Sequence, residues 1–319
     1  MRHAGIDLGG TKTEIVVLEG GVERARFRRP TPQGDYDASL RTIAALLTEA
    51  ERRCGPVATV GIGTPGSVVP ETGCMKNCNS TWLNGRPLLA DLTRRLERPL
   101  AMANDADCFA LSEAMDGAGS GADTVFGVIM GTGVGGGIVH RGRLLSGPNG
   151  IAGEWGHNPL PSLAPAGGDV AARHRALGGR ACWCGREDCI EAWLSGPALH
   201  RTWIELGGDA PGATGIARAA AAGDRAAREA LDLHGWQTAA ALAGVINLLD
   251  PAAIVLGGGL SNLPTLYDVV PERWGAFVFA DAVRTRLHRA RHGDSGGVRG
   301  AAWHGRDAAI PAADTQDRS

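Results

Sequence analysis

Gly5-Ile6-Asp7-Leu8-Gly9-Gly10-Thr11-Lys12 opens the chain with a short apolar run, an acid at its end and a glycine turn, after which residues 13–18 resume an apolar run. This pattern predicts a strand over 3–8 and a second over 13–18. Glu19-Gly20-Gly21 then turns into a third over 22–29, giving an antiparallel start. The same figure returns 122 residues later as Gly127-Val128-Ile129-Met130-Gly131-Thr132-Gly133, with residues 137–142 in the place of 15–20. A repeated strand–glycine turn–strand unit implies two α/β domains of similar topology. Two short glycine-rich segments can also align by coincidence, so the repeat is an expectation for the structure to test.

Around these strands the helical signals are plain. Leu40, Ile43, Ala44 and Leu47 fall on one face of a helix over 37–53, stopped by Gly55-Pro56. A strand over 57–62 leads to the turn Gly63-Thr64-Pro65-Gly66, and Leu88, Leu92 and Leu96 mark a further helix. A short strand over 100–103 hands over to Asn104-Asp105 and a helix over 106–115. Later come helices over 217–233 and 235–249, a strand over 253–256, and Gly257-Gly258-Gly259 leading into another helix.

Composition narrows the class. A chain of 319 residues has room for two domains, and 48 glycines imply many tight turns and close approaches of backbone to ligand. The net charge of −2, with its cations dispersed, leaves no electrostatic footprint for nucleic acid. The longest apolar stretch, 239–249, is broken by Gly244 and Asn247 and is too short to cross a bilayer, and no apolar signal region follows Met1. Seven cysteines, three of them grouped, point to a reducing compartment, the cytoplasm, with Cys54, Cys74, Cys78 and Cys108 as free thiols.

The turn after Asp7 lets backbone N–H groups approach phosphate oxygens without a Cβ in the way, although an ordinary glycine hairpin reads the same. It is not a P-loop, because Thr11 stands where the lysine belongs and a strand follows instead of a helix. Gly131-Thr132-Gly133-Val134-Gly135-Gly136 has the letters of a dinucleotide fingerprint, but it too runs into a strand, not into the helix that motif requires. Two such turns could instead clamp one polyphosphate. Asn104-Asp105, where a strand gives way to a helix, suits either a helix cap or a carboxylate accepting a proton during phosphoryl transfer.

Cys182, Cys184 and Cys189, with Gly185 inside the knuckle and His157 upstream, form a ligand set for one closed tetrahedral zinc. Such a metal pins a loop, and it limits where the neighbouring Glu154 and Glu191 can point, which suits recognition of vicinal sugar hydroxyls. The knuckle has no basic recognition helix, so a DNA-reading finger is not expected. His174, His200 and His234 have no such company and read as surface or core histidines.

Together these strings resemble the ROK family (repressors, open reading frames, kinases). They are Gly5 to Lys12, Gly61-Ile62-Gly63-Thr64-Pro65-Gly66, Asn104-Asp105-Ala106, Gly131 to Gly137, Gly153-Glu154-Trp155-Gly156-His157, Cys182 to Glu191, and Leu256 to Ser261, in family order. The resemblance implies an actin-like, hexokinase-like (ribonuclease H-like) α/β fold of two domains with a central cleft. The smaller domain would take residues 1–118 plus about 295–303 and the larger one 119–294, with a flexible tail over 304–319.

It also implies roles. Asp105 would be the general base. Asn79, Asn104, Asp105, Glu154, His157 and Glu191 would hold the sugar. Asp7 (near Mg²⁺), Gly9, Gly10, Thr11, Lys12, Thr132, Gly133, Val134, Gly135, Gly136, Gly257, Gly258 and Gly259 would serve ATP. His157, Cys182, Cys184 and Cys189 would bind structural zinc.

Within the family, residues 77–85, 154–161 and 291–300 look closest to fructokinases of the manno(fructo)kinase type. The expectation is therefore ATP-dependent phosphorylation of D-fructose to fructose 6-phosphate. N-acetylglucosamine, mannose or glucose kinases of the same family are the alternatives. A sugar-responsive regulator is a remote one, since only four residues precede Gly5. Expected partners are a hexose, ATP and a second copy of the chain, with neither nucleic acid nor membrane.

Overall fold

The two quoted segments become the central strands of two sheets of the same topology. The computed structural model describes residues 1–209, 215–293 and 296–306. In the first sheet, β1 (Arg2–Leu8), β2 (Lys12–Glu19), β3 (Val22–Pro30), β4 (Thr59–Thr64) and β7 (Leu100–Asn104) are ordered β3-β2-β1-β4-β7. The first three are antiparallel, while β4 and β7 join parallel to β1. A small ribbon, β5 (Ser67–Val68) with β6 (Met75–Lys76), follows β4.

The second sheet has the order β10-β9-β8-β11-β12, built from β8 (Thr124–Met130), β9 (Val134–His140), β10 (Arg143–Leu144), β11 (Ala253–Gly257) and β12 (Arg286–Arg289). β8 stands 122 residues after β1 at both of its ends, so the repeat read in the sequence is a repeat of structure.

Helices cover the sheets where their apolar faces demand it. α1 (Tyr36–Cys54) starts at Asp35, whose carboxylate accepts from Ala38 N–H at 2.8 Å, and ends at Gly55 with φ of 79°. It buries Leu40, Ile43, Leu46 and Leu47, each worth about 1.5–3 kcal/mol. The expected Ala44 is only half-buried, and Leu46 takes its place on the face. α2 (Leu88–Leu96) and α3 (Asp105–Met115) complete this part of the chain.

In the second half lie α4 (Gly168–Ala176), α5 (Glu191–Leu194), α6 (Gly196–Glu205), α7 (Ile216–Ala221), α8 (Arg225–Leu249) and α9 (Leu266–Arg273). The sequence suggested a break between two helices at Gly235, yet α8 runs through it. A Cβ there would lie 2.8 Å from an Arg273 guanidinium nitrogen, so the glycine makes room for a packed arginine. That arginine bonds the Asp232 carbonyl at 2.8 Å and stacks on Trp236.

α10 (Gly296–Gly305) returns to the first sheet. Cβ atoms added at Gly5 or Gly61 would overlap the carbonyls of Val298 and Ala301, so helix and sheet meet backbone to backbone. His304 and Gly305, expected in a flexible tail, belong to this helix, and Arg306 follows it; residues 307–319 of that tail, and Asp294 and Ser295 of the 291–300 string, lie outside the described residues.

The chain divides into two compact units. Of the described residues, one holds Met1–Gly121, Gly137–Ala152 and those from His292; the other holds Ala122–Gly136 and those between Gly153 and Arg291. Residues 137–152, expected in the second domain, thus group with the first unit. Among the described residues no helix is long and apolar enough to cross a membrane, and all seven cysteines are free of disulfides.

Candidate active site

In the first unit, strand register brings the sequence motifs to one edge. Asp7 pairs with Gly63 and Thr64 with Asn104, so Asp7, the Gly63–Gly66 turn and Asn104-Asp105 all stand at the carboxyl ends of β1, β4 and β7. Open α/β sheets bind ligands at such ends.

The glycine turn after β1 is fixed through its oxygens. Thr31 donates its hydroxyl to the Gly9 carbonyl at 2.8 Å and its N–H to the Thr11 carbonyl at 3.0 Å, and Gln33 reaches the Gly10 carbonyl at 3.2 Å. Gly9 N–H closes the turn on the Lys12 carbonyl at 3.0 Å, and the remaining N–H groups of the turn form the face for an anion, with Thr11 and Lys12 exposed.

Asn104 caps α3: its side-chain oxygen accepts from Asp107 N–H at 2.6 Å. Asp105 is the first helical residue, and one of its carboxylate oxygens accepts from Ala106 N–H at 2.9 Å. Its side chain is open to solvent but crowded by protein atoms; desolvation raises its pKa above the usual carboxylate range, opposed by the Ala106 N–H. Burial, then the charges of Asp105 and Glu14, push Asp7 up to about 6, with Lys12 opposing. Two carboxyls that disfavour each other's ionisation fit a hard divalent cation close to them.

Asn79, expected at the sugar, is exposed on a loop that Asn84 clips by accepting from Cys78 N–H at 2.9 Å. The adjacent Ser80 went unmarked in the sequence. Its hydroxyl is buried, has no hydrogen-bond partner among the described residues, and lies 3.4 Å from where a Cβ on Gly10 would stand.

In the second unit, the Gly131–Gly133 turn at the end of β8 is closed by Gly131 N–H to the Gly133 carbonyl at 2.9 Å and fastened by Gly196 N–H to the Gly131 carbonyl at 2.8 Å. Gly258, with φ of 77°, presses against the Met130 backbone, which sets the Gly257–Gly259 turn beside it. The following backbone of β9 receives a short 3₁₀ turn, Trp155–His157. Trp155 donates its indole N–H to the Gly135 carbonyl at 3.1 Å, and a Cβ at Gly136 would strike its ring. This packing leaves Glu154 exposed and aims His157 at the cysteines.

The ligand atoms of His157, Cys182, Cys184 and Cys189 all lie within 4.8 Å of one another. Cys182 Sγ is 3.7 Å from His157 Nδ1, and Cys184 Sγ is 3.6 Å from Cys189 Sγ. A tetrahedral zinc with sulfur bonds of about 2.3 Å sets its sulfurs about 3.8 Å apart, so donor set and spacing fit that ion.

Arg180, which the sequence left unmarked, holds the knuckle from behind. It is 1% exposed, stacks 3.9 Å above Trp193, and bonds the carbonyls of Ala192 and Ala198, Thr202 Oγ1 and Glu205. Its own N–H meets Asp188 at 2.9 Å, within the hairpin that carries Cys182 and Cys189.

Glu191 opens α5. One of its oxygens accepts from Val134 N–H at 2.8 Å and the other from the indole N–H of Trp183, a residue 71% exposed between two of the metal ligands. His234 is buried against the Leu194 carbonyl and His174 packs on Trp193, so both are structural.

Two five-stranded sheets of one topology, each ending in a glycine turn, with acids at the strand ends and a Cys₃His knuckle, define a sugar kinase of the actin-like class. Residues 3–307 match the ROK family, and the chain belongs to it. It is 40% identical to the N-acetyl-D-glucosamine kinase of Pectobacterium atrosepticum over 303 residues, covering 94% of this chain and 97% of that one. Among solved structures it is similar to a ROK hexokinase from Thermus thermophilus, with a TM-score of 0.84 and 30% identity over 96% of this chain and 98% of that one. It is also similar to a ROK glucokinase from Streptomyces griseus in complex with glucose and AMPPNP, with a TM-score of 0.71 and 27% identity over 96% and 100% of the two chains.

Proposed function

We propose that this sugar kinase transfers the γ-phosphoryl group of ATP to the primary hydroxyl of N-acetyl-D-glucosamine. The observation that carries the sugar's identity is the 40% match along nearly the full length of a kinase of that sugar, against 30% for the hexokinase. Fructose, expected from residues 77–85, 154–161 and 291–300, has no support among these relatives and becomes the competitor to test.

Asp105 is the general base, placed at a strand end with its pKa raised by desolvation, which makes its carboxylate a better proton acceptor. Glu154, His157, Glu191, Asn79 and Asn104 are the proposed sugar contacts. Asn104 offers its amide N–H₂, since its oxygen caps α3. Gly9 to Lys12, Thr132 to Gly136 and Gly257 to Gly259 are assigned to the nucleotide. Phosphoryl transfer asks mainly for positioning and charge stabilisation, which glycine turns supply by letting backbone N–H groups approach phosphate oxygens. Mg²⁺, with Asp7 at hand, supplies neutralisation of phosphate charge when bound. Zinc on His157, Cys182, Cys184 and Cys189 supplies rigidity to the sugar-side loop and has no open coordination position. A cytoplasmic homodimer completes the reading, and light scattering tests its oligomeric part.

The test is a kcat/KM panel with MgATP against N-acetylglucosamine, fructose, mannose, glucose and N-acetylmannosamine, with Asp105→Ala as the blank. N-acetylglucosamine should lead by at least about tenfold, and the blank should lose on the order of 10²–10⁴ in turnover. A lead for fructose refutes the sugar assignment. An Asp105→Ala protein that is folded and turns over normally refutes the base.

A further inference from the structure

The carboxylate of Glu191 lies on the glycine turn that the proposed function gives to ATP. Its oxygen sits 2.8 Å from the Val134 nitrogen, and a Cβ on Gly133 would come within 2.6 Å of the same oxygen. A carboxylate oxygen therefore occupies a backbone N–H of the turn, at a spot only a glycine leaves open. The second oxygen is held by Trp183, whose ring meets the His157 ring edge-on with centroids 5.0 Å apart. Turn, carboxylate, indole and metal knuckle thus form one chain of contacts inside the second unit.

We infer that Glu191 is a gate: it blocks the phosphate-binding face of the Gly131–Gly136 turn until a sugar draws its carboxylate away. This rests on the assignment of that turn to the ATP phosphates and of Glu191 to the sugar. A carboxylate and a phosphate oxygen compete for one N–H and repel each other, so both cannot occupy the site. Sugar hydroxyls offer the carboxylate replacement donors and free Val134 N–H. By linkage, sugar and nucleotide then strengthen each other's binding by the same factor. The gate disfavours nucleotide binding before the acceptor has arrived, and so limits wasteful hydrolysis. Trp183 is the positioning residue that keeps the carboxylate turned toward Val134.

The experiment is isothermal titration of MgAMPPNP into sugar-free wild-type protein, Glu191→Ala, Glu191→Gln and Trp183→Phe. Removal of the gate predicts a gain: Glu191→Ala binds at least about tenfold tighter than wild type, with Glu191→Gln and Trp183→Phe shifted in the same direction by less. General damage to the fold does not strengthen binding. Should Glu191→Ala fail to fold, Glu191→Gln, which keeps the size and loses the charge, carries the test. Equal or weaker binding by the folded variants overturns the gate and leaves the kinase reading intact. Absence of binding by every protein, with saturating N-acetylglucosamine added as well, overturns the kinase reading and the gate together.

Discussion

Replacing Asp7 with Asn removes a charge that its surroundings oppose. Burial, Asp105 and Glu14 hold this carboxyl at about 6 in the folded chain, against 3.8 for the free side chain. At 1.36 kcal/mol per tenfold, that difference is worth about 3 kcal/mol of disfavoured ionisation at neutral pH. Asp7 is only half-buried, and solvent screening brings the expected gain to about 1–3 kcal/mol. The sign follows from proton binding. Below about pH 4 the carboxyl is protonated in both folded and unfolded chains and costs nothing. Between about 4 and 6 the folded chain holds more protons, so its stability falls as pH rises, and above 6 the whole penalty applies. Urea denaturation of wild type and Asp7→Asn, without divalent cations, at pH 4, 5.5 and 7.5 reads this directly. The variant should be more stable at pH 7.5, with the gap closing toward pH 4, while its kinase activity falls. A variant equal or inferior in stability at pH 7.5, or a gap that ignores pH, refutes the electrostatic account of this strand end.

Metal analysis of the purified protein should find about one zinc per chain, and chelation should lower both thermal stability and sugar affinity; a protein unchanged by complete metal removal would rule out the closed Cys₃His site. Arg180→Met should cost about 2–5 kcal/mol, because the carbonyls of Ala192 and Ala198 and the Glu205 carboxylate lose a buried partner, and an unchanged denaturation midpoint contradicts that. Gly61→Ala should destabilise by at least about 1–3 kcal/mol, since α10 has no room to give; near-neutral stability shows that the helix can shift.

Most of the fold was legible because two independent signals coincided. The glycine turn after an apolar run gave each hairpin, and its recurrence 122 residues on gave the second sheet. The site was legible as residue types but less so as geometry. Asn104-Asp105 reads equally as cap and as catalytic pair, and the structure uses Asn104 as a cap with Asp105 left open to solvent. Glu191 was visible as an acid beside a metal ligand, yet nothing in its spacing says that it reaches Val134, 57 residues away. The continuity of α8 through Gly235 was hidden for the same reason, since it depends on Arg273 filling the space a side chain would need. Arg180 is one arginine among many until Trp193 and Thr202 are seen around it. The sugar was least legible of all, because choice among hexoses rests on a few hydrogen bonds set by orientation rather than by residue type.

The return of α10 to the first sheet makes the order of synthesis matter. The N-terminal strands leave the ribosome first, yet Gly5 and Gly61 wait for the backbone of Val298 and Ala301 to close over them, and Val16 and Leu18 wait for Val298 and Ala302. At roughly 5–20 residues per second, the stretch from Gly121 to Gly296 takes on the order of 10–35 s to make. For that interval the first sheet has one apolar face uncovered, while the residues of the second unit are emerging and can finish their own core. The half of the chain that is born first is therefore the half that matures last, and a nascent chain arrested near residue 290 should be the form that chaperones hold and proteases find.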